Sequence, residues 1–279
     1  MHLVPGGPWD REKALAPKVI EALNKRYGLD LPLWQQFANY VWGAVRGDLG
    51  ISYSYSDRTV TSILAHGLPK TVTLGVLAFL LAQTIGIPFG VAAALKQNSA
   101  IDYASVLFAT IFASIPGFVL GILLMVIFSV VLHWFPTSGW GTFQQIIMPV
   151  FCLAALPAAQ SARITRASTL EVMRQDYVRT ARSKGLLEST VRLRHIFRNS
   201  LIPVVTVAGP ELANLITGSF IIENLFAIPG VGRIFVQGIF ARDYALIMGG
   251  ILFYAIIIAI LNLVVDILYA AIDPRIRYE

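Results

Sequence analysis

Side chains able to do chemistry are few in this chain, and they are scattered. The single cysteine, Cys152, lies in an apolar stretch, so neither a disulfide framework nor a thiolate metal site is available. The four histidines, His2, His66, His133 and His195, share no helical or hairpin spacing suited to a metal. Neither Cys152 nor any Ser/His pairing reads as a nucleophile with its base, which argues against a membrane-embedded hydrolase. The P-loop signature (G-x-x-x-x-G-K followed by Ser or Thr) does not occur, so an ATP-driven step would belong to another polypeptide. No catalytic, cofactor-binding or metal-binding residue is therefore assigned.

Two polar pairs stand out because they interrupt apolar runs. Glu211 with Asn214 lies about ten residues into one such run, near the middle of a bilayer-spanning length. A carboxylate there costs several kcal/mol unless it faces a cavity or a partner. Glu211, Asn214 and the helix-breaking Pro116 are accordingly candidates for lining a pathway. Asn262 and Asp266 are four apart on one helix face, Asp266 about 10 Å of helix rise before Asp273, and read as packing residues near an interface.

The strongest charge feature is the segment Asp176–Pro203, DYVRTARSKGLLESTVRLRHIFRNSLIP. Between Gln160 and Ser200 there are nine Lys/Arg against three acids, a surplus of six that equals the net charge of the whole chain. A basic block between apolar spans marks the cytoplasmic side. Asp176 is placed to cap a short helix carrying Tyr177 and Ala181, and Gly185 to end it in a left-handed turn. Leu193, Ile196, Phe197 and Leu201 imply a second helix, which Asn199, Ser200 and Pro203 should close. Composition alone favours a plainer reading, a positive-inside loop with an interfacial helix. Tied between bilayer spans, it has no role with nucleic acid.

The elements that must hold these residues are membrane spans. The 279 residues are 56% hydrophobic and only 14% charged, with a mean hydropathy of +0.67. Soluble domains carry about 25% charged residues. Five stretches are long enough to cross a core of about 30 Å: Thr71–Leu95, Tyr103–Trp134, Gln144–Ala162, Leu201–Ile222 and Tyr244–Ile272. Gly75, Gly86, Pro88 and Gly90 in the first permit close approach or a kink, Pro116-Gly117 breaks the second, and Pro149 and Pro157 make the third the least regular. Residues 1–70 form an N-terminal segment with short helices, one within Arg11–Tyr27 and one opened by Pro32 through Trp34, Phe37, Val41 and Trp42. Those aromatics either form a small core or rest on the headgroup region. Residues 71–279 form the transmembrane domain. Within it the basic loop spans residues 160–200, and an apolar loop, residues 223–243, lies on the opposite side. Phe226, Pro229 and Gly230 in that loop either cap the outer mouth of the bundle or form an inert connector.

Several motifs carry a resemblance. The string YVRTARSKGL…LRHIFRNSLIPV is similar to the cytoplasmic coupling (EAA) loop of ABC importer permeases of the peptide/nickel class. Arg179 stands where the general motif has Glu, Arg198 where it has Pro, and Thr180, Ala181 and Gly185 occupy the small-residue and glycine positions. RGDLGISY (Arg46–Tyr53), LPKTVTLG (Leu68–Gly75), GIPFGV (Gly86–Val91), ENLFAIPGVGR (Glu223–Arg233), ARDY (Ala241–Tyr244) and DPRIR (Asp273–Arg277) extend the likeness along almost the whole chain. The resemblance implies an all-α bundle of the type I ABC importer kind, with five spans here and six in the family. It implies the permease subunit of an ATP-driven importer for peptides or a peptide-like solute. Contact with the ATPase would fall on Tyr177, Thr180, Ala181, Lys184, Gly185, Leu186, His195 and Arg198. The implied partners are a second homologous permease, two ATP-binding subunits carrying ATP and magnesium, and an extracytoplasmic solute-binding protein, in a bacterial or archaeal inner membrane. A secondary transporter or channel not driven by ATP is the alternative; inverted repeats and a series of intramembrane ionisable groups, which would mark it, are lacking. With the basic loop inside, residues 1–70 lie outside and the C-terminus lies inside. A first family helix is then expected upstream of the HLVPGG stretch, with a late start site or a truncation as the reason it is missing.

Overall fold

The computed structural model describes residues 8–9, 16–55, 58–217 and 219–272, and for residues 265, 266 and 268–272 the backbone alone. The HLVPGG stretch, residues 11–15 at the start of the helix expected within Arg11–Tyr27, and the DPRIR motif lie outside the described residues. Two short helices come first, α1 (Pro17–Tyr27) and α2 (Leu33–Val45), the latter with Pro32 at its N-cap. The spans come next: α3 (Val60–Leu95), α4 (Ala100–Ser114), α5 (Gly117–Leu124) with its π-helical continuation Met125–Val131, and α6 (Phe143–Met173). The basic loop holds α7 (Asp176–Ser183), α8 (Glu188–Thr190), a π-helical stretch Val191–Phe197 and α9 (Arg198–Ser200). Last come α10 (Ile202–Thr217), α11 (Phe220–Leu225), α12 (Val231–Phe240) and α13 (Tyr244–Ile272).

Four of the described helical runs are long and apolar enough to cross a membrane, and a fifth span results if α4 and α5 are taken together. That pair bends by 99°. The bend follows from Pro116, which excludes the helical conformation at Ile115 (ψ 119°) and restarts the chain as the N-cap of α5. Two spans differ from expectation. The first begins at Val60 rather than Thr71, because Thr59 caps it by accepting from the Ser62 amide and Pro69 continues inside the helix. The third is one unbroken helix despite Pro149 and Pro157, opened by a Thr142/Gln145 capping box and running past Ala162 to Met173.

The bundle is organised on the α3–α6 pair. Along α3, Gly67, Thr71, Gly75, Ala78, Ala82, Gly86 and Gly90 recur at spacings of three and four, and all are buried. A Cβ on Gly86 would stand 2.6 Å from the Ala158 carbonyl oxygen, and on Gly90 2.5 Å from that of Ala162. The two backbones therefore touch, which is how helices associate where lipid removes the hydrophobic drive. α6 is the central element, its apolar stretch 61% buried, whereas that of α13, at 17%, is peripheral. The main core gathers Leu74, Met148, Cys152, Leu215, Ile222 and Phe226. A second core, Leu49, Val60, Leu64, Val231 and Leu246, joins the first turns of α3 and α13 to the segment before α3.

Candidate functional site

Only two residues, Arg174 and the extended Gln175, separate α6 from α7, so the basic loop follows directly on the central helix. Helix α7 begins at Asp176, but its cap is Gln175 and the Asp176 side chain is solvated, contrary to the capping role expected of it. The helix ends at Gly185, whose φ of +72° is left-handed. A helical track then restarts at Glu188 and runs to Ser200. Pro203 does not close it. It sits in the first turn of α10, where its missing amide costs nothing.

Val178 and Ala181 of α7 pack on Val191 and Ile196, with Val172 and Met173 of α6 beside them. Glu188 accepts from Arg182 Nη2 at 3.1 Å and from Arg192 Nε at 3.3 Å. Those hydrogen bonds, Arg182 first, hold its carboxyl below the usual range. Asn199 donates to the Tyr177 hydroxyl at 3.0 Å, closing the two arms into one hairpin. Of the expected contact residues, Tyr177, Thr180, Lys184, Gly185, Leu186 and Arg198 are exposed, His195 is half-buried, and Ala181 is buried within the hairpin's own core. Leu187 and Leu193 add bare apolar surface between the guanidiniums. The arrangement is a compact knob of basic and apolar side chains.

In the bundle, Gln83 Nε2 donates to Glu211 Oε2 at 2.8 Å, and Ser161 Oγ donates to Gln83 Oε1 at 2.6 Å. A polar chain thus crosses from α10 through α3 to α6. Asn214 and Pro116 are exposed on this subunit, as is Asn262; the Asp266 side chain lies outside the described residues.

Three fully or nearly fully buried carboxylates do more structural work than Glu211. Glu223 accepts from Thr71 Oγ1 (2.8 Å), Ser219 Oγ (2.6 Å) and the Arg233 amide (3.1 Å). Gly230 and Gly232 are required beside it, because a Cβ on either would fall within 3.0 Å of Glu223 Oε2. Phe226 is core rather than cap surface, Gly230 is buried, and Pro229 is exposed. Asp243 accepts from Ser52 Oγ at 2.5 Å and the Ser54 amide at 2.9 Å, and caps α13 through the Leu246 amide. Asp102 takes a two-pronged ion pair from Arg166, Nε to Oδ1 at 2.5 Å and Nη2 to Oδ2 at 2.8 Å, joining α4 to α6. The available signal was an acid within or against an apolar run, the same one that singled out Glu211.

Among known proteins, the model of the family described as "binding-protein-dependent transport system inner membrane component" matches residues 86–278. The oligopeptide transport system permease protein OppB of Haemophilus influenzae is 40% identical over 280 residues, spanning 100% of this chain and 92% of that protein. The dipeptide transport system permease protein DppB of Lactococcus lactis is 41% identical over 277 residues, 99% of this chain and 91% of its own. Among solved structures, a chain of the MetNI methionine ABC transporter in an inward-facing conformation superposes with a TM-score of 0.62 at 19% identity, covering 76% of this chain and 96% of that one. An amino acid ABC transporter gives a TM-score of 0.56, also at 19%, covering 75% and 93%. These last two speak for the fold. The secondary-transporter alternative falls with the family match, and the chain belongs to the binding-protein-dependent transport system inner membrane components: it is a multi-pass permease subunit of an ATP-driven ABC importer, not itself an enzyme.

Proposed function

We propose that this permease conducts peptides, and that the hairpin α7–α9 is where a cytoplasmic ATPase pushes on it. The peptide reading rests on likeness along the whole chain to permeases named for oligopeptide and dipeptide transport. The coupling reading rests on one observation: a compact basic hairpin whose two ends continue directly into α6 and α10. Movement of the knob in an ATPase cleft reaches the bundle through those helices without an intervening flexible joint. The complex comprises this chain, a second homologous permease, two ATPases binding ATP and magnesium, and a solute-binding protein. The N-terminal segment and residues 223–243 lie outside, where the latter cover the outer mouth, and α7–α9 and the C-terminus lie inside. Pro116, Asn214 and the half-buried Glu211 border the pathway between the two permeases.

Gly185 supplies the test. A Cβ there meets nothing within 4 Å, so a substitution acts only through the left-handed backbone. Gly185→Val should cost roughly 1–2 kcal/mol locally, whereas Gly185→Asn should be tolerated. In the complete reconstituted complex, Gly185→Val is expected to keep ATP hydrolysis while losing most uptake of labelled di- and oligopeptides. Normal uptake by that variant would refute the coupling role. Failure of the unaltered complex to take up any peptide would refute the substrate.

A further inference from the structure

Helix α2 presents a broad apolar face to its surroundings. Its thirteen residues, LWQQFANYVWGAV, contain no charge. Leu33, Trp34, Phe37, Val41, Trp42 and Val45 are all exposed, Trp34 by 72% and Phe37 by 71%. The opposite side is held down. Gln36 Nε2 donates to the carbonyls of Leu29 (3.2 Å) and Leu31 (2.8 Å), and the Asp48 amide returns to the Gly43 carbonyl.

The anchoring of Leu49 sets the height of this helix. Four residues after α2 ends, Leu49 is buried with Val60 and Leu64 of α3 and with Ala245 and Leu246 of α13. Those are the opening turns of two apolar spans, at the end of the bundle opposite α7–α9. A largely apolar cavity of about 470 Å³ lies between α2 and α13, lined by Phe37, Tyr40, Tyr53, Tyr244 and Met248 among others. Trp9, Tyr27 and Tyr53 form a cluster of mutually tilted rings beside it, which Tyr244 joins through Tyr53, with centroids 4.5–6.5 Å apart. The Arg46 guanidinium covers the Trp42 ring at 4.4 Å, placing a cation at the rim of the bare face. Tryptophan and tyrosine at the level of span ends, with a cation at the edge, is the composition of a membrane interface. A soluble partner that docks and leaves would strand six large apolar side chains in water in each cycle. The bilayer covers them permanently.

We infer that α2 lies in the headgroup region of the leaflet opposite α7–α9, with its Leu33/Trp34/Phe37/Val41/Trp42/Val45 face against the acyl chains. The N-terminal segment is thereby a lipid-bound platform level with the opening of α13.

Nitroxide labels at Phe37→Cys and Val41→Cys test this in the full complex, reconstituted in phosphatidylcholine–phosphatidylglycerol nanodiscs. Cys152 is buried and stays unlabelled, both labelled positions are exposed, and Lys25→Cys on α1 is the aqueous reference. Phe37 and Val41 labels should be at least about threefold more accessible to oxygen than to an aqueous nickel complex, with the order reversed at Lys25. Nickel access equal to that at Lys25 would overturn the inference by placing the face in water. Protection from both reagents would overturn it by assigning the face to a protein.

Discussion

The Thr71 hydroxyl donates to Glu223 Oε1 at 2.8 Å across 152 positions of sequence, and the same hydroxyl oxygen accepts from the Val231 amide at 2.9 Å. One threonine thus fastens α3 both to α11 and to the first residue of α12. Gly67, one turn before Thr71, lets the loop backbone lie directly on α3: a Cβ there would be 2.9 Å from the Val231 nitrogen.

Glu223→Ala should therefore destabilise the subunit by about 3 kcal/mol, since it strands two buried hydroxyls and the partly buried Arg233 amide. Glu223→Gln keeps an acceptor and should lose less, and Thr71→Ser should be nearly silent. Thermal inactivation of the solubilised complex measures the order. Equal losses for Ala and Gln would mean that the carboxylate's hydrogen bonds are not what holds the loop.

Along the α3–α6 seam, size is the constraint. Gly86→Ala and Gly90→Ala should each cost about 1–3 kcal/mol by forcing the helices apart. Gly117→Ala, whose Cβ would be 3.7 Å from its nearest neighbour, should be close to neutral. The yield of folded permease, read by resistance to proteolysis, separates the two classes.

Asp102 and Arg166 form a pair whose acid is buried and whose base is partly hydrated, with side-chain exposures of 4% and 28%. Asp102→Asn should cost roughly 2 kcal/mol, less than a fully buried pair would because water reaches the guanidinium. Asp102→Leu or Arg166→Met alone leaves one charge unpaired, and the double change should recover most of the loss of either single, since neither charge is then left alone. A thermodynamic cycle over the four proteins tests the recovery.

Glu211→Leu leaves the Gln83 amide without its acceptor and should cost about 1–3 kcal/mol of stability. Assembly should survive while peptide uptake falls, whereas Glu211→Gln should retain more of both. Unchanged uptake by assembled Glu211→Leu would assign the residue to packing alone.

Spans were legible in the sequence because the bilayer demands long uncharged runs, and α13 begins at Tyr244, where hydropathy placed it, and is helical through Ile272. The turn at Gly185 was equally legible, since a glycine between two amphipathic stretches has few other uses. Prolines were the less readable signals. Pro116 produces a 99° bend, while Pro149 and Pro157 leave α6 a single helix. The difference lies outside those residues, in neighbours that keep the rest of the helix packed when one amide is missing.

Chain order and composition determined that there would be an apolar bundle with one basic loop, because charge and hydropathy act through the solvent and need no partner residue. Tertiary structure alone decided which acids matter. Glu223 and Asp102 find their partners, Thr71 and Arg166, 152 and 64 positions away, and nothing local to either acid announces the pairing. Burial makes an acid costly wherever it occurs, but only the meeting of two distant helices supplies the donors that make it stable.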